Sequence, residues 1–370
     1  MACTKGILLT ILIGIFQPAV VFGATPGDWT AFGGVPFGCN GPIEAVEVGT
    51  SGQVYVGGLF STCGETQVNN IAVFDPTTGT FNSLGDGNSN GTDGNVSEIE
   101  ISGTTVYAAG GFRFAGGVFA NRVARWDGTA WHALGAGIGG PVRAMVLDGA
   151  DLYVGGNWTS AGDTNARNVA RWDGAEWNTV GLEAENGVEG IVEAIEVFNG
   201  NVFVGGRFLT QAGSQEVSGI ARWDGAQWTE VGAGENAGVF SEFSETIVQA
   251  LAEHNGRLIV GGIFDSAGGT EAFAIAAWNG SEWSALGEGF TAGGVISLES
   301  TLSGLIAADT GGSFDGQDPD GNPARVFVNI WDGNSWTPLN QNGDFLNNRV
   351  AALGSDCIFR PIVNTHSGRT

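Results

Sequence analysis

Positive charge is what this 370-residue chain has least of. Lys5 is its only lysine, and Lys and Arg together number 14 against 39 Asp and Glu, a formal net charge of −25. A surface so acidic repels phosphate backbones, which excludes nucleic acid as a partner, and it disfavours docking on anionic lipid. Cysteine is scarce, and no Cys-x-x-Cys pair occurs, so zinc-ribbon and thioredoxin-like sites are excluded. Long hydrophobic runs are missing too. The longest, Gly6–Phe16, is short and is followed by Gln17 and Pro18, too little for a membrane-spanning helix. With Lys5 before it and the small residue Gly23 after it, it predicts a signal peptide over 1–23. The mature chain, 24–370, is then expected to be secreted, extracellular or periplasmic, with no stable membrane insertion. Its 13 arginines and 39 acids leave a charge of −26, which suits cations as partners and solubility in a salty medium.

Catalytic motifs are also missing. There is no Gly-x-Ser-x-Gly elbow, His-Glu-x-x-His or phosphate-binding loop. The densest acidic cluster, Glu183, Glu185, Glu189, Glu193 and Glu196, has no His or Tyr beside it. Carboxylate pairs could serve a glycosidase or lyase. A carbohydrate-active hydrolase or lyase is therefore one alternative, and a structural cell-surface component another.

Glycine (64) and tryptophan (12) are abundant, and both recur with a period. "VARWDGTAW" at Val123–Trp131 returns as "VARWDGAEW" at Val169–Trp177 and "IARWDGAQW" at Ile220–Trp228. Ten tryptophans form five pairs, each five residues apart, from Trp126/Trp131 to Trp331/Trp336; Phe74 and Phe81 replace the pair in the first unit. Gly-Gly dipeptides recur from Gly57-Gly58 to Gly311-Gly312 at a mean spacing near 51 residues. Each unit reads as four short strands joined by Asp-Gly or Asn-Gly turns, with no sustained helical periodicity.

Such repeats predict an all-β fold, a β-propeller of four-stranded blades. Large aromatics fill the wedge between blades, and glycines allow close backbone approach. Arg125, Arg171 and Arg222 are candidates for hydrogen bonds between blades. "DWTAFGG" at Asp28–Gly34 matches a fourth strand, and Arg349–Phe359 a first strand and part of a second. Seven blades are thus expected, the N-terminal strand closing an incomplete or irregular last one; six is the alternative. The domain spans 24–370.

"VYVGGLF…NNIAVFDPTTGTFNSLG" in unit one resembles a kelch repeat. Units such as "LYVGGNWTSAGDTNARNVARWDGAEWNTVG" are similar to the propeller repeats of the fungal cortical polarity-marker family and of similar secreted bacterial proteins. The resemblance implies a propeller with a surface or adhesion role. Kelch-like galactose oxidases hold copper with Tyr, His and Cys. Here His132, His254, His366, Tyr55, Tyr107 and Tyr153 fall at scattered positions, and copper chemistry is not expected.

The expected function is a secreted, non-catalytic binding or adhesion module. Its protein or glycan ligand would sit on the face that carries the loops between second and third strands and between blades. Three sites follow. Cys39 and Cys63 precede the first strand and follow the second strand of the first blade, on one face, and a disulfide is expected there; Cys357 is left unpaired. Glu47, Glu100, Glu196 and Glu299 take one position in their first strands, with Val146 and Ala252 in the other two blades. A carboxylate ring lining the channel is expected, solvated strand ends being the alternative. Asp86, Asn88 and Asn90, with Gly91, carry the alternating oxygen spacing of a calcium loop, with Asp93 or Glu98 to complete the charge. Asp315, Asp318 and Asp320 form a weaker Ca2+ candidate, and ordinary Asn/Gly loops are the alternative for both.

Overall fold

Both faces of each short sheet are apolar, so no blade can bury itself alone. In the computed structural model, described over 38–338 except 183–185, 235, 243, 292, 302–303 and 311–326, the sheets solve this by packing in sequence around an axis. Blade 3 is representative, with strands Val142–Asp148, Asp151–Gly156, Val169–Trp172 and Trp177–Thr179. They pair antiparallel in the order one-two-three-four. The first strands of the other blades are Ile43–Val48, Val96–Ser102, Ile191–Phe198, Ile247–His254 and Val295–Thr301. Each packs against the first strand of the next, which makes them the inner ring. The fold is an all-β propeller; among the described residues the one helical element is the 3-10 turn Gly87–Ser89.

Seven blades are not found. The described residues hold six four-stranded units in five hydrogen-bonded sheets, because the pair Arg207↔Ile247 joins blades 4 and 5 into one. Asp28–Gly34 and Arg349–Phe359, from which the closing blade was expected, lie outside the described residues.

Tryptophan, rather than Arg171 or Arg222, ties blade to blade. In each of five hairpins the two indoles are direct cross-strand partners, as in Trp172↔Trp177, with ring centroids 5.3 Å apart there. The second indole also donates its Nε1–H to a carbonyl of the preceding blade. Trp131 bonds Leu84 (2.9 Å), Trp177 bonds Leu134 (2.8 Å), Trp228 bonds Val180 (2.9 Å), Trp283 bonds Val231 (3.0 Å) and Trp336 bonds Leu286 (3.0 Å). Arg171 instead pairs with Asp151 and Arg222 with Thr229, each within its own blade.

The glycine pair has a steric reason. A Cβ at Gly155 would run into Val192 and Ile195 of the next blade, and one at Gly156 into the Pro141 carbonyl of its own. Blade 6 departs from the expected motif. Its register, Ser297↔Ala308 and Val295↔Asp309, puts Ala308-Asp309 where blades 1, 3, 4 and 5 have this pair, not Gly311-Gly312; blade 2 has Ala109-Gly110 at the same register.

The connections from second to third strand are not plain loops. In blades 1 to 5 each folds as a hairpin with two residues a side, as in Ser160–Ala161 with Thr164–Asn165. The segment entering the blade adds a bridge: Thr92↔Ala115, Ile138↔Ala161, Val188↔Ala212 and Val239↔Ala267. In blade 1 this bridge is Cys39↔Cys63, and it is a disulfide with Cα atoms 3.9 Å apart. Four sister blades have alanine at the Cys63 position and Thr92, Ile138, Val188 and Val239 at the Cys39 position, so Cys39→Val with Cys63→Ala removes the cross-link and little packing. A loss of about 2–4 kcal/mol is expected from the larger entropy of the unfolded chain. Urea unfolding with and without reductant checks it: reduced wild type should match the variant, and equal stability of oxidised wild type and variant would refute it.

Candidate functional site

The pairing register settles which inner-strand residues are equivalent. Glu47 lies opposite Tyr55, Glu100 opposite Tyr107, Val146 opposite Tyr153, Glu196 opposite Phe203, Ala252 opposite Ile259 and Glu299 opposite Ile306. The four glutamates therefore share one position, and the three tyrosines share its partner position in the second strand. Glu100 feels the charges of both Glu47 and Glu196, so these carboxylates converge although Val146 stands between two of them.

Glu98, expected to complete the charge of a calcium loop, lies near the carboxylates of Glu100 and Glu44. Every first strand carries an irregularity near its start, in blade 2 between Val96 and Glu98. Beyond it Glu98 and Glu100 fall on the same face. Burial pushes the Glu98 carboxyl well above its ordinary range, with the charges of Glu100 and Glu44 adding to the effect. Burial likewise pushes Glu100 up to about 8. Glu196 rises to about 7, again by burial, with Glu253 adding and a hydrogen bond from the Val197 N–H opposing. At the start of the first strands, Glu44 accepts a hydrogen bond from Asn95 Nδ2 (2.7 Å), and Arg143 pairs with Glu193 (3.1 Å).

Of the other residues of the expected calcium loop, Asp86 is exposed at the start of the 3-10 turn, and its side chain makes no capping bond. Asn88 lies within that turn. Asn90 donates to the Gln67 carbonyl (3.1 Å), while its Oδ1 is buried without a hydrogen-bond partner. Asp93 Oδ1 accepts from the backbone N–H groups of Arg113 and Phe114, both at 2.7 Å. Among the described residues no three His, Cys, Asp or Glu side chains come together as metal ligands. Asp315, Asp318 and Asp320 lie outside the described residues, as do Glu183, Glu185, Cys357 and His366.

The histidines that are described are structural. His132 Nε2 bonds Asp127 Oδ2 (2.6 Å) within one hairpin. His254 is buried; its Nδ1 meets Ser300 Oγ of the next blade at 2.9 Å, and burial lowers its pKa.

The second feature is the loop face. Six large apolar side chains are exposed among the described residues: Leu59, Phe114, Val118, Phe119, Leu182 and Phe208. Five stand in second-to-third-strand connections and Leu182 in a connection between blades, so all six share one end of the propeller. Phe114 and Phe119 pack edge to face at 5.4 Å, and the Arg113 guanidinium lies 5.9 Å from the Phe119 ring centre. Two shallow depressions open on this face. One, about 330 Å³, is lined by Asn40, Leu59 and Asn69 among others; another, about 320 Å³, has Glu271 and Glu288 on its wall. Among the described residues no helix is long and apolar enough to cross a membrane.

Neither a protein-family model nor a curated protein sequence matches the chain. Its similarity to solved structures is one of shape. A computationally designed protein, Ika8, superposes with a TM-score of 0.48 at 13% identity, over 82% of this chain and 76% of that one. A chain of the mitotic checkpoint complex gives 0.48 at 13% identity, over 87% and 86%. The WD40 β-propeller domain of Doa1 gives 0.44 at 12% identity, over 74% and 78%.

Proposed function

We propose that the chain is an exported, non-catalytic binding module whose ligand, a protein or a glycan, sits on the face built by the second-to-third-strand hairpins. One observation carries this reading: all six exposed large apolar side chains of the described residues lie at that end. Single exposed hydrophobics are ordinary, but their confinement to one end of a scaffold marks an interaction surface. The blades hold these hairpins on a rigid frame, so little ordering cost is left for binding. In a serine double variant of Phe114 and Phe119 the blade cores stay intact, because both rings stand outside them. Signals from a glycan array, or from a pull-down of surface proteins, are expected to fall at least about tenfold in this variant. Equal signals from wild type and variant would remove the face from consideration. Turnover of a polysaccharide by the wild type would replace the reading with a hydrolase or lyase.

A further inference from the structure

Blade 4 departs from its sisters by one residue. From the glycine that faces the start of the first strand to the buried hairpin residue is five positions in four blades: Gly58 to Cys63, Gly110 to Ala115, Gly156 to Ala161 and Gly262 to Ala267. In blade 4, Gly206 to Ala212 is six. Backbone bonds locate the extra residue. Asn70, Asn168 and Ala274 donate to the carbonyls of Phe60, Trp158 and Phe264, and the equivalent Gly219 donates to Leu209. Leu209 thus fills the buried aromatic site at 2% exposure, and Phe208 is the insertion. Phe208 is held at φ +54° and is 61% exposed. A bulky residue in the left-handed region is strained, and an exposed ring gains nothing from folding. Neither packing nor turn geometry accounts for a phenylalanine here; glycine would suit the backbone better.

The surroundings are acidic. The pair Arg207↔Ile247 sets Phe208 beside the connection that enters blade 5, where Glu242 and Glu245 are exposed. Asp265 Oδ2 accepts the Glu242 N–H at 2.8 Å and fixes that connection. The depression walled by Glu271 and Glu288 belongs to the next blade edge. Arg207 is the cation next in sequence, and Arg167 is paired to Glu189 at 3.3 Å. The sector therefore offers one apolar anchor with an excess of carboxylates around it.

We propose that Phe208, with Glu242 and Glu245, docks a polypeptide segment of a partner protein that carries an apolar side chain flanked by lysine or arginine. This rests on the binding-module reading and names its partner class. The apolar side chain packs on the Phe208 ring, and the flanking cations meet the carboxylates. Charge complementarity chooses a basic peptide over an acidic one, and ring contact chooses an apolar one over a merely basic one.

Fluorescence anisotropy with three labelled Gly/Ser peptides tests it, their centres being Lys-Leu-Lys, Glu-Leu-Glu and Lys-Ser-Lys. The first should bind at least about tenfold more tightly than either of the others. Phe208→Gly should weaken it about 30-fold without lowering Tm, because glycine adopts the same φ freely. Glu242→Gln with Glu245→Gln should weaken it and flatten its salt dependence. Equal binding of the Lys-Leu-Lys and Glu-Leu-Glu peptides, or no effect of Phe208→Gly on the first, overturns the proposal. So does a dimer by light scattering that Phe208→Gly converts to monomer, since a second copy would then be the occupant. If no peptide binds while the glycan-array signal still depends on Phe114 and Phe119, the polypeptide proposal falls and the binding-module reading stands.

Discussion

Trp177→Ala is expected to destabilise the protein by about 3–5 kcal/mol, among the largest effects of any single truncation in the chain. Three losses coincide at this side chain. The ring is buried in the core between blades 2 and 3, against Leu134 and Ile138 on one side and Trp172 on the other. Its removal leaves a cavity that two rigid sheets cannot close. The Leu134 carbonyl, which accepts the indole N–H at 2.8 Å, keeps only its bond from the Gly137 N–H at 3.1 Å. The aromatic pair that pins the outer hairpin also disappears. Trp177→Phe keeps most of the area and loses the hydrogen bond, so a smaller cost of about 1–2 kcal/mol is expected. Arg171→Ala, which breaks a half-exposed pair with Asp151 inside one blade, should cost at most about 1 kcal/mol. Urea unfolding of the three variants checks this order. An arginine variant as unstable as Trp177→Ala would mean that arginine, not tryptophan, holds the blades together.

The order also shows what could be read from the residues and what could not. The tryptophan spacing gave the hairpins directly, because Trp172 and Trp177 must face each other across a two-sided sheet. The indole's reach to the preceding blade depends on where that blade's carbonyl lies, which no spacing within one repeat encodes. Glu47, Glu100, Glu196 and Glu299 were aligned correctly because a strand's period of two fixes its register once the apolar positions are matched. The approach of Glu98 to Glu100 and Glu44 was missed because the irregularity at Ser97 breaks that period. Dipeptide matching misplaced the glycine pair in blades 2 and 6, where pairing puts Ala109-Gly110 and Ala308-Asp309. The small hairpins of the loop face are only two residues a side and leave no periodic trace. Phe208 could have been found: a step of six positions from Gly206 to Ala212, against five in the sister blades, is visible by counting.

Stability is expected to fall as pH rises from about 5 to about 9, the reverse of the trend for a protein held by ionised carboxylates. Glu100 has its folded pKa pushed up to about 8 and Glu196 to about 7, first by burial and then by neighbouring acids. Glu98 shifts the same way. An unfolded glutamate titrates near 4.3. Between these values the folded state binds more protons than the unfolded one, so their contribution is complete below about 4.3 and is lost as pH climbs through the folded values. The turn aspartates work oppositely. Asp75, Asp127, Asp173, Asp224 and Asp332 accept hydrogen bonds from hydroxyl and backbone donors just after them, which lowers their pKa. Their contribution is present above about 4 and is lost in acid. The two sets together place the stability maximum near pH 5. Glu100→Gln keeps the shape of the side chain and removes its titration, along with one like charge beside Glu47 and Glu196. The wild type should lose about 3–5 kcal/mol more than this variant between pH 5 and pH 9 if the whole Glu100 shift is expressed. Unfolding free energies at pH 5, 7 and 9 for both proteins decide it. A wild type more stable at pH 9 than at pH 5, or two parallel curves, would mean that Glu100 ionises in the open and that these carboxylates do not share a closed channel.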